Sequence, residues 1–403
     1  MAGYRALLKV SAQRRLLAAY LPSEFADWLD YVAIMAMIAY VWRLGTLELA
    51  LAAVAFTLPY ITAGPLLAAL VDRSDITQVM LVTNIGRAMA TFAMAAAPNV
   101  GVLLLLVLVR ATLDSAYNPA RQSAIQAITP PPLLPAANGL QHGVSQTSKI
   151  LGPALGGLLL GVMPAQSVFV VNGALSTLTV LLMLRVTIPP RTPAPRRETI
   201  VSQFTAGIVE FFRNQRLLVV LIFAAAANFS FFLYDTQLAL LTARFGFDAT
   251  AFGLSVAASG GGGLIGAILA GLLRPKWPLQ LMVPSTLISS TVTVALAIAA
   301  MVGAGLPLPV FLAAMAFMGG TTVFMMVPYQ TTIQREAPTD RIARVSAAGE
   351  GVMIAALMSA PFLGSAIAAA LGVPAAVLTG GILVGLVGLG GLVWLFLHDR
   401  KAR

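Results

Sequence analysis

Long apolar runs follow one another along this chain, and each is about as long as a helix that crosses a lipid bilayer. Such a helix needs ~20 mostly apolar residues. The strict alternation typical of transmembrane β-strands does not occur. Turn residues separate the runs at 98–99, 163–166, 303–309 and 372–374. The pattern predicts twelve spans near residues 16–42, 47–71, 77–97, 100–120, 138–161, 166–187, 217–243, 250–273, 279–302, 308–332, 343–371 and 374–397.

The composition agrees with an all-α integral membrane protein. Of the 403 residues, 59% are hydrophobic and only 10% are charged, whereas a soluble domain has about 25% charged residues. The chain has no cysteine, which excludes disulfides and thiolate chemistry, and its two histidines, His142 and His398, make a histidine metal site unexpected. No cofactor is predicted. A membrane-embedded enzyme is disfavoured because no nucleophile motif is present.

The net charge of +10 is distributed unevenly. If both termini lie on one side, twenty of the 25 lysines and arginines fall on that side, and only Arg43 and Arg244 fall on the other. The remaining three, Arg87, Arg110 and Lys149, lie within spans. By the positive-inside rule, this bias predicts cytoplasmic termini and an even number of spans. It also explains the basic charge without a nucleic-acid partner. The first run lacks a small-residue cleavage pattern, and we expect it to remain as an anchor.

A proline-rich basic tether, PPRTPAPRR, begins the longest segment between spans. After it, apolar residues at helical spacing predict an interfacial amphipathic helix: Ile200, Phe204, Ile208, Phe211 and Phe212. We therefore expect an N-terminal six-helix bundle at 1–187, a cytoplasmic linker at 188–216 and a C-terminal six-helix bundle at 217–403.

The two predicted bundles share weak sequence matches at nearly constant offsets. At an offset of 201, Arg43-Leu44-Gly45 aligns with Arg244-Phe245-Gly246. At an offset of 208, Pro153 aligns with Pro361. An internal repeat joined by a central tether is common in secondary transporters. The sequence thus predicts two pseudo-symmetric bundles.

The first span contains three acids, Glu24, Asp27 and Asp30. An acid at the centre of a bilayer costs roughly 2.5–3.5 kcal/mol even on lenient insertion scales. At about 100° per residue, the three side chains fall within an arc of about 120°, so one helix face can remove all of them from lipid. At the offset of 201, Asp27 aligns with Asn228, the one acid position that is polar in both halves. Asp27 is therefore the leading candidate.

Three local patterns resemble the major facilitator superfamily, and the first two lie at the end of the second span and in the fourth span. The second predicted span ends in GPLLAALVDRSD, similar to the family's loop signature, with Gly64, Asp72 and Arg73 in the matching places. The basic residues that usually follow are absent. The fourth span carries Arg110, which resembles the family's intramembrane arginine, with Asp114 four residues later on the same face.

The fifth span, GVSQTSKILGPALGG, is similar to a glycine-proline signature of the superfamily's antiporters. Glycines allow close helix packing and a proline bends the helix; ordinary glycine-rich packing is the alternative. The dipeptide Ala26-Asp27 and the tripeptides Asn118-Pro119-Ala120 and Ala137-Asn138-Gly139 look most like the drug- and siderophore-exporter branch. The resemblance covers nearly the whole chain for the fold.

The resemblance implies a central cavity lined by spans 1, 4, 7 and 10, with spans 2, 5, 8 and 11 at its sides. Candidates for proton coupling are Asp27, Asp30, Glu24, Asp114 and Glu350. Candidates for the substrate cavity are Arg110, Lys149, Asn228, Phe232, Asp235 and Gln330. Candidates for gating and helix packing are Gly64, Asp72, Arg73, Arg121, Gly143, Gly152, Pro153, Gly156, Gly157 and Arg341. Arg87 and Lys149 either neutralise the acids or take part in binding.

The expected function is that of a secondary transporter that exports lipophilic or amphiphilic small molecules by alternating access. A proton-coupled exporter needs a carboxyl group whose pKa can be raised by burial until it titrates near neutrality. No G-x-x-x-x-G-K-[ST] loop is present, so an ion gradient would supply the energy. The alternatives are a dedicated siderophore or lipid exporter and an importer of a small nutrient. We expect a monomer in the inner membrane, surrounded by lipid.

Overall fold

The structure is a computed structural model that describes residues 2–71, 73–189, 200–273, 277–338 and 341–399. Within these ranges the chain is helical and contains no strand. Its contacts divide it into two compact units. The first comprises Met1–Leu44, Leu51–Pro195 and Phe252–Ala257, and the second comprises Gly45–Ala50, Arg196–Ala251 and Ala258–Arg403.

The N-terminal half of the chain forms eight helices within its described part. They are α1 (Ala2–Lys9), α2 (Ser11–Ala36, which continues as a π-helical turn at Met37–Val41), α3 (Thr46–Thr62), α4 (Gly64–Val71), α5 (Ile76–Ala95), α6 (Val100–Ile128), α7 (Leu134–Val162, after a 3₁₀ turn at Pro131–Leu133) and α8 (Ala165–Met183).

The C-terminal half forms eight more helices within its described part. They are α9 (Ile200–Arg213), α10 (Gln215–Asp235), α11 (Leu238–Arg244), α12 (Ala249–Leu272), α13 (Leu279–Met301), α14 (Leu308–Glu336), α15 (Ile342–Leu371) and α16 (Val373–Asp399).

Turn chemistry begins and ends several of these helices. Asp75 and Asn99 cap α5 and α6 by accepting hydrogen bonds from backbone N–H groups of the first turn. Asn214 and Asp248 do the same for α10 and α12. Gly372, with φ of 88°, ends α15 in the left-handed region, where glycine has no steric penalty. The four predicted breaks between helices are confirmed.

Eight of the described helices are long and apolar enough to cross a membrane: α6, α8, α10 and α12 to α16. The helix α3 is apolar but shorter. The first predicted span corresponds to α2, whose acids and arginines lower its hydropathy although its helix is 26 residues long. The chain is a multi-pass, all-helical membrane protein with two six-helix bundles.

Two predicted spans are not continuous helices, contrary to the prediction from the sequence. The second is interrupted at Ala63, where Pro65 has no backbone N–H to continue the helical hydrogen bonds. The seventh is interrupted at Thr236 and Gln237, where the Gln237 backbone N–H bonds to Tyr234, three residues back. Its side-chain amide donates to the Leu233 carbonyl oxygen, which stabilises the turn.

Several helices also extend further than predicted. The helix α6 continues to Ile128 and α14 to Glu336, because polar residues such as Arg121 end the apolar run without ending the helix. In the first unit, α2 packs on α7 and α8, and α5 packs on α6 and α8. This arrangement brings the polar faces of α2, α5 and α6 together.

The predicted amphipathic linker helix corresponds to α9, which packs against α15. Phe211 is fully buried in an apolar cluster with residues of α10 and α14, whereas Phe212 is 72% exposed. The side chains of Ile200 and Phe204 lie outside the described residues, as do residues 190–199, which include all of the tether except Pro189.

Candidate functional site

Five charged side chains from three helices meet inside the first unit. They are Asp27 and Asp30 on α2, Arg87 on α5, and Arg110 and Asp114 on α6. Residues three or four positions apart share a helix face, so the two acids of α2 lie on one face and the two charged residues of α6 lie on another. The packing of α2, α5 and α6 then places the acidic and basic faces in contact. We call these five residues the buried charge cluster.

Asp27 is the shared partner of both arginines. Its Oδ1 atom accepts a hydrogen bond of 2.6 Å from an Nη atom of Arg87 and another from Arg110. The Arg110 Nε atom lies 2.9 Å from Oδ2 of Asp30. Asp114 also contacts both arginines, at 2.6 Å from Nε of Arg87 and 3.7 Å from an Nη atom of Arg110. Every carboxylate in the cluster therefore touches a guanidinium group.

The cluster is largely removed from solvent, with Asp114 13% exposed and Asp27 more exposed than any other member. The side chains of Arg87 and Arg110 are 4% and 5% exposed, and that of Asp30 is 0% exposed. Asp27 keeps 38% of its side chain accessible. When every group is ionised, three carboxylates face two guanidinium groups, so the cluster carries one negative charge in excess. A buried unbalanced charge is costly, and binding of one cation or one proton would remove it.

Uncharged side chains also contact the buried charge cluster through hydrogen bonds and a cation–π interaction. Arg87 donates to Ser23 Oγ at 2.9 Å and to Asn84 Oδ1 at 3.1 Å. Thr91 donates to Asp30 Oδ2 at 3.3 Å. The Arg87 guanidinium also lies 5.0 Å from the ring centroid of Tyr117, within cation–π range. These contacts hold the arginines in place beside the acids.

A second polar group surrounds Arg121 on α6. Its guanidinium stacks over the ring of Tyr20, with 4.3 Å between its central carbon and the ring centroid. It also lies 3.5 Å from Glu24 and donates to Gln141 on α7 at 3.3 Å. Glu24 is thus paired with Arg121 and is not part of the buried charge cluster.

The glycines of α7 differ in what they pack against. A Cβ atom at Gly152 would lie 2.5 Å from Cβ of Trp28, and one at Gly156 would lie 3.3 Å from Cβ of Val32. Both contacts join α7 closely to α2. A Cβ atom at Gly143, in contrast, would meet nothing within 4 Å.

Pro153 and Gly157 of α7 face the α12 segment that belongs to the first unit. A Cβ atom at Gly253 would clash with the Cα atom of Gly157 and would lie 2.7 Å from the Pro153 carbonyl oxygen. The absence of a side chain at Gly253 therefore allows this backbone contact.

The second unit contains a small cavity between α10, α13, α14 and α16. Its open volume is about 30 Å³, enough for one or two water molecules. Seven of its eleven lining residues carry a hydroxyl or amide group and none is charged: Asn228, Tyr234, Ser285, Thr286, Ser289, Thr321 and Thr322. Ser285, Thr286, Thr321 and Thr322 donate to carbonyl oxygens of their own helices.

The remaining candidates are distributed over both units. In the first unit, Lys149 is exposed, 6.0 Å from the Trp28 ring centroid, and forms no ion pair with any described residue. Arg73 is exposed after α4, Gly64 begins α4, and Asp72 lies outside the described residues. In the second unit, Phe232 packs edge-to-face on Phe231, and Asp235 ends α10. Gln330 and Glu350 are exposed. Arg341 donates a hydrogen bond of 2.9 Å to Glu210.

Arg87 is a central member of the buried charge cluster, although the sequence pattern alone does not place it among the candidates for coupling, binding or gating. Because the third span is usually peripheral in the superfamily, the sequence favours Arg87 as a neutralising partner of the acids over Arg87 as a binding residue. A count of the charges could have identified Arg87. The three carboxylates of Asp27, Asp30 and Asp114 carry more negative charge than the single guanidinium group of Arg110 can balance. Tyr20 and Tyr117 were also missed, since nothing in a single sequence distinguishes a stacking tyrosine from one in the apolar core.

Comparisons with known proteins agree with this architecture. The family model described as "Major Facilitator Superfamily" matches residues 16–353. The chain therefore belongs to the major facilitator superfamily and is a membrane transporter.

One relative is the Bacillus subtilis (strain 168) protein named "Uncharacterized MFS-type transporter YfiS". It is 27% identical over 380 residues, which cover 93% of this chain and 91% of the relative.

Two solved structures share the fold at low sequence identity. A bacterial homologue of the human lysosomal transporter Spinster, in an inward-facing and unoccupied conformation, matches with a TM-score of 0.70 and 16% identity, over 96% of this chain and 95% of that chain. The nucleoside transporter NupG matches with a TM-score of 0.73 and 12% identity, over 95% of this chain and 98% of that chain.

Proposed function

We propose that this protein is a proton-coupled exporter of lipophilic or amphiphilic small molecules. The observation that carries the proposal is the buried charge cluster, in which three carboxylates face two guanidinium groups. One proton balances the cluster, and its release leaves one negative charge in excess, which a cationic amphiphile can balance when it takes the place of the proton.

Asp27 is the residue we assign to proton exchange. It is the most exposed carboxylate of the cluster and accepts from both arginines. A proton on Asp27 would weaken its hold on Arg87 and Arg110 at the same time. Asp30, which is fully buried, and Asp114 would keep those arginines paired meanwhile.

The transport cycle we propose is alternating access, with both termini in the cytoplasm and the protein in the inner membrane as a monomer. The uneven distribution of basic residues supports this orientation. Arg121, with Glu24 and Tyr20, would form one gate. The close contacts of Gly152 and Gly156 with α2 would make α7 and α2 move as one body. We propose no cofactor, because an ion gradient is sufficient as the energy source.

The test is proton movement in proteoliposomes upon addition of an amphiphilic substrate, comparing the wild type with Asp27→Asn. The variant leaves two carboxylates facing two guanidinium groups, so it should fold while losing substrate-driven proton movement. Asp30→Asn is the control with the same change in charge. Proton movement by Asp27→Asn equal to that of the wild type would reject the assignment of Asp27.

The cavity of the second unit, whose lining residues include seven with an uncharged hydroxyl or amide group, favours a second candidate, a transporter of a small uncharged compound. The side chains of Asn228 and Ser289 form no hydrogen bond within the described part of the chain, so both are available to recognise a neutral polar group. Uptake of such a compound, reduced in Asn228→Leu but retained in Val384→Leu, would support this candidate. The same loss in both variants would contradict a specific role of the amide.

A further inference from the structure

A cleft between the ends of α2 and α8 is lined by three arginines. The lining residues are Arg14, Arg15, Ala18, Leu182, Leu184, Arg185 and Thr187. Its open volume is about 600 Å³. Because α2 packs along α8 in the first unit, residues that are 170 positions apart in the sequence meet here.

The three arginines have much unused hydrogen-bonding capacity. Arg14 donates to the Leu8 carbonyl oxygen at 3.4 Å, and Arg15 donates to the Arg185 carbonyl oxygen at 3.1 Å. Each guanidinium group has five N–H donors. None of the three forms an ion pair with a carboxylate of the described part of the chain. Three unbalanced positive charges around one cleft favour an anion, and guanidinium groups suit phosphate in particular.

The position of the cleft indicates which kind of molecule would carry the phosphate. The apolar run of α2 begins at Leu16, directly after Arg15, and the candidate span of α8 ends at Met183, two residues before Arg185. The arginines therefore lie at the depth of lipid headgroups. Two leucines of the same region, Leu181 and Leu184, are 55% and 63% exposed, and they offer an apolar surface to an acyl chain.

We propose that this cleft binds the headgroup phosphate of an anionic phospholipid, with the arginines on the phosphate and the leucines beside an acyl chain. Basic pockets between transmembrane helices are a recognised site for anionic headgroups. The site lies at the N-terminal end of α2, and the buried charge cluster lies further along the same helix. The proposal does not depend on the transported substrate.

The experiment measures lipid retention by the purified full-length protein with native mass spectrometry. Dioleoyl phosphatidylglycerol and dioleoyl phosphatidylcholine are added to separate detergent solutions, since the two lipids share acyl chains and differ in headgroup charge. We expect preferential retention of phosphatidylglycerol and a roughly fivefold loss of its affinity for each arginine replaced by glutamine. Equal retention of both lipids by the wild type would overturn the proposal.

A matched control pair and a second variant distinguish the loss of a specific lipid site from misfolding of the protein. Arg14→Gln/Arg185→Gln is compared with Arg244→Gln/Arg335→Gln, which removes the same charge from exposed positions outside the cleft. Ala18→Glu keeps all three arginines but places a carboxylate among them, and it should also reduce phosphatidylglycerol retention. Equal losses in the cleft and control pairs, or full retention by Ala18→Glu, would contradict a site in this cleft.

A third arm separates lipid from free phosphate. Inorganic phosphate is titrated against the bound phosphatidylglycerol. We expect the lipid to remain bound at millimolar phosphate, because the acyl chain adds apolar contact that free phosphate lacks. Displacement of the lipid by phosphate at that concentration would show an anion site without lipid specificity and would overturn the assignment to a phospholipid.

Discussion

The Nε atom of Arg87 lies 2.6 Å from Oδ1 of Asp114, so an ion pair joins α5 to α6 within the first unit. Arg87 also bonds to Asp27 on α2. One guanidinium group, only 4% exposed, thus connects three helices inside the first unit. The stability of the first unit and the charge balance of the candidate site therefore depend on the same residue.

Removal of Arg87 should be strongly destabilising. Arg87→Leu leaves three carboxylates facing one guanidinium group, and breaking a buried pair from one side costs about 3–5 kcal/mol. The free energy of unfolding, measured by titration with sodium dodecyl sulfate in mixed micelles, should fall by about that amount. The double variant Arg87→Leu/Asp114→Leu should lose less than the single variant, because it returns the cluster to an excess of one negative charge instead of two. A double variant as unstable as the sum of both single variants would show that the two residues are not coupled.

Arg121 should not tolerate replacement by lysine. The planar guanidinium group stacks on Tyr20 while it reaches Glu24 and Gln141, and an ammonium group cannot make this set of contacts at once. We expect Arg121→Lys to reduce the transport rate roughly tenfold, about the value of one charge-assisted contact, as measured with labelled substrate in proteoliposomes. Tyr20→Phe keeps the aromatic face and should transport nearly as well as the wild type. Normal transport by Arg121→Lys would remove Arg121 from the proposed gate.

Two glycines of α7 should respond differently to the same substitution. In Gly152→Val the new Cβ atom lies 2.5 Å from Cβ of Trp28, which cannot move without a shift of α2. Overpacking of this kind costs about 1–3 kcal/mol, so the midpoint of thermal unfolding should fall. Gly143→Val is the control, because nothing lies within 4 Å of its Cβ position. Equal unfolding midpoints for both variants would show that the α2–α7 contact is not tight.

The linker helix α9 should depend on Glu210 for its attachment to α15. Glu210 accepts from Arg341 at 2.9 Å, and the backbone of Gly207 approaches the Arg344 carbonyl oxygen closely. We expect Glu210→Gln to increase amide hydrogen exchange in α9 roughly tenfold, since a charge-assisted bond is lost. Arg213→Gln is the control, because the Arg213 side chain is 63% exposed and lies 3.9 Å from Glu210. Unchanged exchange in Glu210→Gln would indicate that apolar contacts of Phe211 alone hold the helix.

The sequence by itself determined the helices, their breaks and the acidic face of α2. Hydrophobic periodicity and turn residues act over a few positions, so 98–99 or 372–374 could be recognised without any tertiary information. The interruptions of the second and seventh spans, at Ala63 and Gln237, were not predicted. Both lie within apolar runs, and hydrophobicity does not indicate a local change in backbone hydrogen bonding.

Only the tertiary structure decided which charges meet. The sequence left both Lys149 and Arg87 as possible partners of the acids, yet Arg87 is buried among the acids while Lys149 is exposed. Gly143 and Gly152 belong to one motif, yet only Gly152 contacts α2 closely. The reason is physical: helical periodicity assigns each residue to a face, but the packing of helices distant in the sequence determines what that face touches.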